Sequence, residues 1–149
     1  MKARDIMTTS PSVVTPEETA KHAAQIMRDL DVGFVPVVEK KSTMRVVGVL
    51  TDRDLVIRGV AEGHVPSEMR VRDCMTRGPI ASVGMDENLP QVIATMEEAE
   101  VRRVVVVDTA KRLVGVIAQA DLATKVGPTE PHVVEHMLEK LSGHAMAGA

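Results

Sequence analysis

Residues 46–58 read VVGVLTDRDLVIR and residues 113–125 read LVGVIAQADLATK. In each, an apolar run interrupted by a glycine, Gly48 or Gly115, gives way to a polar stretch that ends on an aspartate, Asp54 or Asp121. A β-branched apolar run bounded by polar residues reads as a buried strand, and a polar residue just before renewed apolar spacing reads as a helix start. The chain therefore carries one strand-to-helix junction twice.

Further blocks pair in the same order on either side of this junction. RDIMT at 4–8 matches RDCMT at 72–76, TPEETAKHAAQIM at 15–27 matches GMDENLPQVIATM at 84–96, and VGFVPVVE at 32–39 matches VRRVVVVD at 101–108. The offset stays between 67 and 69 residues, so the small gaps fall in loops. Each copy opens with a helical turn at Asp5 or Asp73 and a short strand near Val13 or Ala81. A helix over residues 17–30 then groups Ala20, Ala23, Ala24 and Met27 on one face, as Leu89, Val92, Ile93 and Met96 are grouped in the second copy. Strands at 34–38 and 46–50 follow, joined by the polar loop 40–45, and a short helix starts near Asp52.

These patterns predict an α+β fold of two tandem βαββα repeats, residues 1–62 and 71–127, joined by the linker 63–70 and followed by a C-terminal helix and tail in 128–149. A repeat this small buries too little apolar surface alone, so the two are expected to pack together. Its 149 residues are 44% hydrophobic, enough for a core, yet Phe34 is the sole aromatic residue. A ring bound here would sit between aliphatic side chains instead of stacking on aromatic faces. The formal net charge of -3 provides no broad positive field of the kind that draws nucleic acid or anionic lipid. A single cysteine, Cys74, permits no internal disulfide, and the first ten residues carry no apolar signal core. No apolar run approaches the roughly 20 residues that span a bilayer. A cytoplasmic protein with neither membrane nor nucleic acid as partner is expected.

The doubled RD-x-MT opening, the VPVV strand at 35–38 and GVLTDRD at 48–54 resemble the cystathionine β-synthase (CBS) domain family, over about residues 3–126. Members of that family are pairs of βαββα units joined through their sheets in a pseudo-twofold arrangement. The resemblance implies a regulatory module that catalyses nothing and holds an adenine nucleotide, AMP, ADP, ATP or NAD, in a cleft shared by its repeats. It also implies an unidentified effector protein and a homodimer, the latter in keeping with helix faces rich in Ala, Val and Met.

Thr or Ser-x-x-Asp segments in that family hold the ribose, which assigns this role to Thr51 and Asp54. A carboxylate accepts two hydrogen bonds from a vicinal diol, a hydroxyl three residues earlier reaches the same sugar, and helix-start amides suit an anion. The competing reading is a capping box, which has the same pattern. The second copy keeps Asp121 but has Ala118 in place of the threonine, and a pure cap would more naturally retain the hydroxyl; this favours the ribose. Near Asp54, Arg53 is placed to meet a phosphate, and the segment from Thr76 to Ile80 borders the site, but the counterpart of a basic pair is the uncharged Gly33-Phe34. Near Asp121, Arg102 and Arg103 form a candidate phosphate clamp. The plain alternatives are a surface helix residue paired with a neighbouring carboxylate for Arg53 and a solvated strand edge for Arg102 and Arg103, and at least one of the two sites is expected to be occupied.

Other signals are weaker. His132 and His136 stand four apart on an expected helix over 133–141, with Glu135 and Glu139 beside them, a spacing that suits a metal but equally a solvated face. Val133, Met137 and Leu141 would dock that helix, and residues 142–149 are expected to be disordered. There is no glycine-rich phosphate loop before a lysine, no Cys/His array and no nucleophile elbow, so an enzyme is not expected. An alternative of another class is a structural interaction module with decayed nucleotide sites, which Ala118 and Gly33-Phe34 support.

Overall fold

The computed structural model describes residues 1–126, 128, 131, 132, 135, 136 and 139. The helix expected over 133–141 falls largely outside these residues, and the tail 142–149 wholly so.

The valine-rich blocks form two antiparallel pairs in matching register. β2 (Phe34–Val38) pairs with β3 (Val46–Thr51), setting Val35 opposite Leu50 and Val37 opposite Gly48. β5 (Arg103–Val107) pairs with β6 (Leu113–Ala118), setting Val104 opposite Ile117 and Val106 opposite Gly115. Stiff β-branched side chains suit a pleated surface, and Val35, Val37, Val104 and Val106 are all buried. Around the second pair, β1 (Thr8–Thr9) lies antiparallel to β6 and β4 (Ser82–Gly84) parallel to β5, giving the order β1-β6-β5-β4. Around the first pair the same two outer positions shrink to single bridges, Thr76 to Val49 and Val14 to Val37.

The long helices α2 (Ala20–Leu30) and α5 (Leu89–Ala99) span 11 residues each. Thr19 and Asn88 cap them by accepting from the amides of His22 and Gln91, both at 3.1 Å. α2 thus starts at Ala20, three residues later than its periodicity predicts. The hydroxyl of Thr19 takes the cap, and residues 15–18 form a turn of their own in which the Thr15 amide donates to the Glu18 carboxylate at 2.6 Å. Both helices end on a left-handed residue that is not glycine, Asp31 at φ 52° and Glu100 at φ 54°.

Packing divides the chain elsewhere than the sequence period does. One compact unit is Pro11–Ile80, and the other combines Met1–Ser10 with the chain from Ala81 onward. Each unit contains the opening segment of the opposite repeat. The short helix α1 (Ala3–Ile6) puts Ala3 and Ile6 into a core with Val83, Val92, Met96 and Leu122. Its counterpart α4 (Val71–Cys74) puts Val71 and Cys74 into a core with Val14, Ala23, Val35 and Leu50. The glycine of each repeated junction lies where the incoming segment crosses. A Cβ on Gly48 would stand 2.7 Å from the Thr76 carbonyl oxygen, and one on Gly115 would stand 2.5 Å from Met7 Sδ. No other residue leaves room for that crossing without a shift.

Candidate functional site

The junction helix α3 (Asp52–Asp54) runs on into a wider π-helical turn, Leu55–Val60, and its counterpart α6 spans Gln119–Lys125. The short helices α1, α3, α4 and α6 begin alike. The carboxylate of the third residue accepts the amide hydrogen of the cap residue: Asp5 from Lys2 at 2.8 Å, Asp54 from Thr51 at 3.0 Å, Asp73 from Arg70 at 3.2 Å and Asp121 from Ala118 at 2.8 Å. Among the four, a cap hydroxyl completes the box at Thr51, which accepts from the Asp54 amide at 3.1 Å. The carboxylate half of the cap therefore works without the hydroxyl. Retention of Asp121 beside Ala118 is explained by capping and does not by itself point to a ribose.

What distinguishes Asp54 lies beyond its own helix. Its side chain is only 13% exposed, Thr76 Oγ1 sits 3.3 Å from each of its oxygens, and Arg58 Nη1 is 3.9 Å from Oδ1. Thr51, Asp54 and Thr76 thus meet in one cluster within the Pro11–Ile80 unit. A carboxylate has about four acceptor positions, so capping and the Thr76 hydroxyl leave room for further donors. Arg53 is exposed on α3, and Ile80 is half-buried at the end of the unit. Gly33 lacks a basic side chain but keeps the backbone link of this junction. The Gly33 carbonyl accepts from the Asp52 amide at 3.0 Å, and a Cβ on Gly33 would stand 2.8 Å from Asp52 Oδ2.

In the other unit, Arg103 begins β5 directly opposite Ala118, and the Arg102 carbonyl accepts from the Gln119 amide at 2.8 Å. The backbone thereby brings both arginines to the start of α6; Arg102 is exposed and Arg103 half-buried. Thr8, the counterpart of Thr76, pairs with Val116 but is exposed.

The sequence profile of the CBS domain matches residues 3–59 and 71–127. The chain belongs to the CBS domain family. Hypoxic response protein 1 of Mycobacterium tuberculosis is 37% identical over 136 residues, which are 91% of this chain and 87% of the relative. A crystal structure of Hypoxic Response Protein I with two coordinated zinc ions superposes with a TM-score of 0.73 at 35% identity, over 83% of this chain and 98% of that one. A crystal structure of CBSX2 in complex with AMP does so with a TM-score of 0.71 at 25% identity, over 87% and 98% of the two chains.

Within this CBS pair, two basic residues escaped the sequence reading. Arg58 and Lys125 each stand four places after a junction aspartate, a signal visible once the repeats are aligned. Cys74 is buried, and burial, followed by the negative charges of Asp54 and Asp73, raises its pKa and so disfavours the thiolate. His132 and His136 are exposed, and among the described residues no group of three or more His, Cys, Asp or Glu side chains could hold a metal. An open groove lined by Ser82, Glu87, Asp108 and Lys111 lies past Val107, at the end of β5 remote from Arg103. Among the described residues no helix is long and apolar enough to cross a membrane.

Proposed function

We propose that this CBS pair is a regulatory module that binds an adenine nucleotide, with Asp54 accepting the ribose diol and Thr51 and Thr76 beside it. The observation that carries this reading is the cluster in which a largely shielded carboxylate, accepting from the Thr51 amide and the Thr76 hydroxyl, keeps spare acceptor positions. The AMP complex of CBSX2 supports the choice of ligand. Arg53 and Ile80 flank that site, Asp121 with Arg102 and Arg103 forms the second, and AMP, ADP, ATP and NAD are the candidate ligands. Ligand binding that favours one conformation is felt by any effector protein that distinguishes conformations, which is the regulatory output.

A purely structural module is the competing function, favoured by the fact that Asp54 is already employed as a cap. Calorimetric titration with the four nucleotides separates the two. Asp54→Asn keeps an oxygen for the Thr51 amide but removes the charge that strengthens bonds from a diol. The wild type should bind at least one nucleotide, and affinity at this site should fall about tenfold or more in the variant. Asp121→Asn tests the second site in the same way. Absence of heat with all four ligands rules the nucleotide function out.

We also propose a homodimer. Val56, Ile57 and Val60 are 54%, 52% and 63% exposed on a single helical turn, an apolar patch suited to a second copy of the chain. Light scattering should give twice 16.1 kDa, and Ile57→Asp should shift the mass toward the monomer. A wild-type mass of 16.1 kDa at tens of micromolar refutes the dimer.

A further inference from the structure

The basic residue four places after each junction aspartate makes the same contact in both units. Arg58 Nη1 donates to the carbonyls of Met75 at 2.9 Å and Cys74 at 3.3 Å, and Lys125 Nζ donates to the carbonyl of Ile6 at 2.8 Å. In the repeat alignment Arg58 corresponds to Lys125 and Cys74 to Ile6. The accepting carbonyls therefore sit at the C-terminal ends of α4 and α1, the two short helices that cross over from the opposite repeat. The last carbonyls of a helix have no partner within it, and a lysine or arginine side chain commonly satisfies them.

The next residue along is part of the candidate site. Thr76 follows directly on Met75, pairs its amide and carbonyl with Val49 at 2.8 and 3.0 Å, and holds the Asp54 carboxylate through its hydroxyl. One guanidinium thus faces both the carboxylate and the strip of backbone that carries Thr76. The Asp54 to Arg58 ion pair alone is long and its arginine half-exposed, so screening leaves it little weight. The charge-assisted bonds to the carbonyls matter more.

We propose that Arg58 and Lys125 are positioning residues of the two CBS sites, each fastening the crossing segment of the opposite repeat onto the helix that bears the junction aspartate. The fastening stands on geometry alone; its consequence for ligand affinity rests on the nucleotide function proposed above.

The test combines amide hydrogen exchange without nucleotide and calorimetry with AMP and with adenosine, on wild type, Arg58→Met and Arg58→Lys. Arg58→Met keeps an apolar stem but should speed exchange at the Met75 and Thr76 amides about tenfold or more, leaving the β5–β6 amides unchanged. Arg58→Lys reproduces the arrangement at Lys125 and should restore most of the protection. AMP and adenosine should lose affinity by the same factor in Arg58→Met, because the residue positions the site and does not bind the phosphate. Unaltered exchange in Arg58→Met overturns the fastening whether or not nucleotide binds. An AMP loss more than tenfold greater than the adenosine loss overturns the positioning role in favour of a phosphate contact. If the wild type binds neither ligand, the nucleotide function fails and the positioning role with it, while the exchange result still decides the fastening.

Discussion

Ala118 holds a helix N-cap with the extended backbone, φ -102° and ψ 155°, that a threonine or serine cap adopts. The matching Thr51 has φ -113° and ψ 162° and uses its hydroxyl on the amide three residues on. The Asp121 amide is thus offered a cap position with no oxygen in it, and Ala118→Thr should supply one without disturbing the backbone. Because replacing such a cap by alanine costs about 0.5–2 kcal/mol, the reverse change should raise the melting temperature by a few degrees. An unchanged or lower melting temperature would mean that the half-buried site cannot admit the larger side chain, and the likeness of the two junctions would not extend to their caps.

Elements were legible where a period or a motif reports them. The paired strands follow from their valine runs, and α5 from Leu89, Val92, Ile93 and Met96, all of which are buried. Features set by a single hydrogen bond were not legible. The late start of α2 depends on Thr19 taking the cap, and the stops at Asp31 and Glu100 lack the glycine that usually announces a left-handed residue. The π-helical turn Leu55–Val60 has no sequence mark that sets it apart from an ordinary helix. In the candidate site, Thr51 and Asp54 stood out because their spacing is a motif. Arg58 did not, since its match with Lys125 marks a repeated basic position but not its targets, which are backbone carbonyls 16 and 17 residues away. Gly48 and Gly115 were visible as a repeat but not as crossing points, because what each makes room for comes from the opposite repeat.

For the whole molecule, the displacement between sequence period and packing boundary makes a sharp prediction about fragments. Residues 1–62 form a repeat by sequence but not a unit by packing. That fragment lacks Met69, Val71, Cys74 and Met75 from one core and carries Ala3 and Ile6, whose partners in the other core are gone. Residues 11–80 keep the first core whole, including α4 and the Thr76 bridge. Burying a large apolar side chain contributes about 1.5–3 kcal/mol, so losing several is comparable to the entire stability of a small domain. A 70-residue fragment is marginal even when its core is complete, so the comparison is best made along a titration with a stabilising osmolyte. The 11–80 fragment should fold cooperatively at a lower osmolyte concentration than the 1–62 fragment, read by circular dichroism and amide protection. Should 1–62 fold first, the opening segments would be packing within their own repeats, and the crossing on which the Arg58 and Lys125 contacts depend would not form in solution.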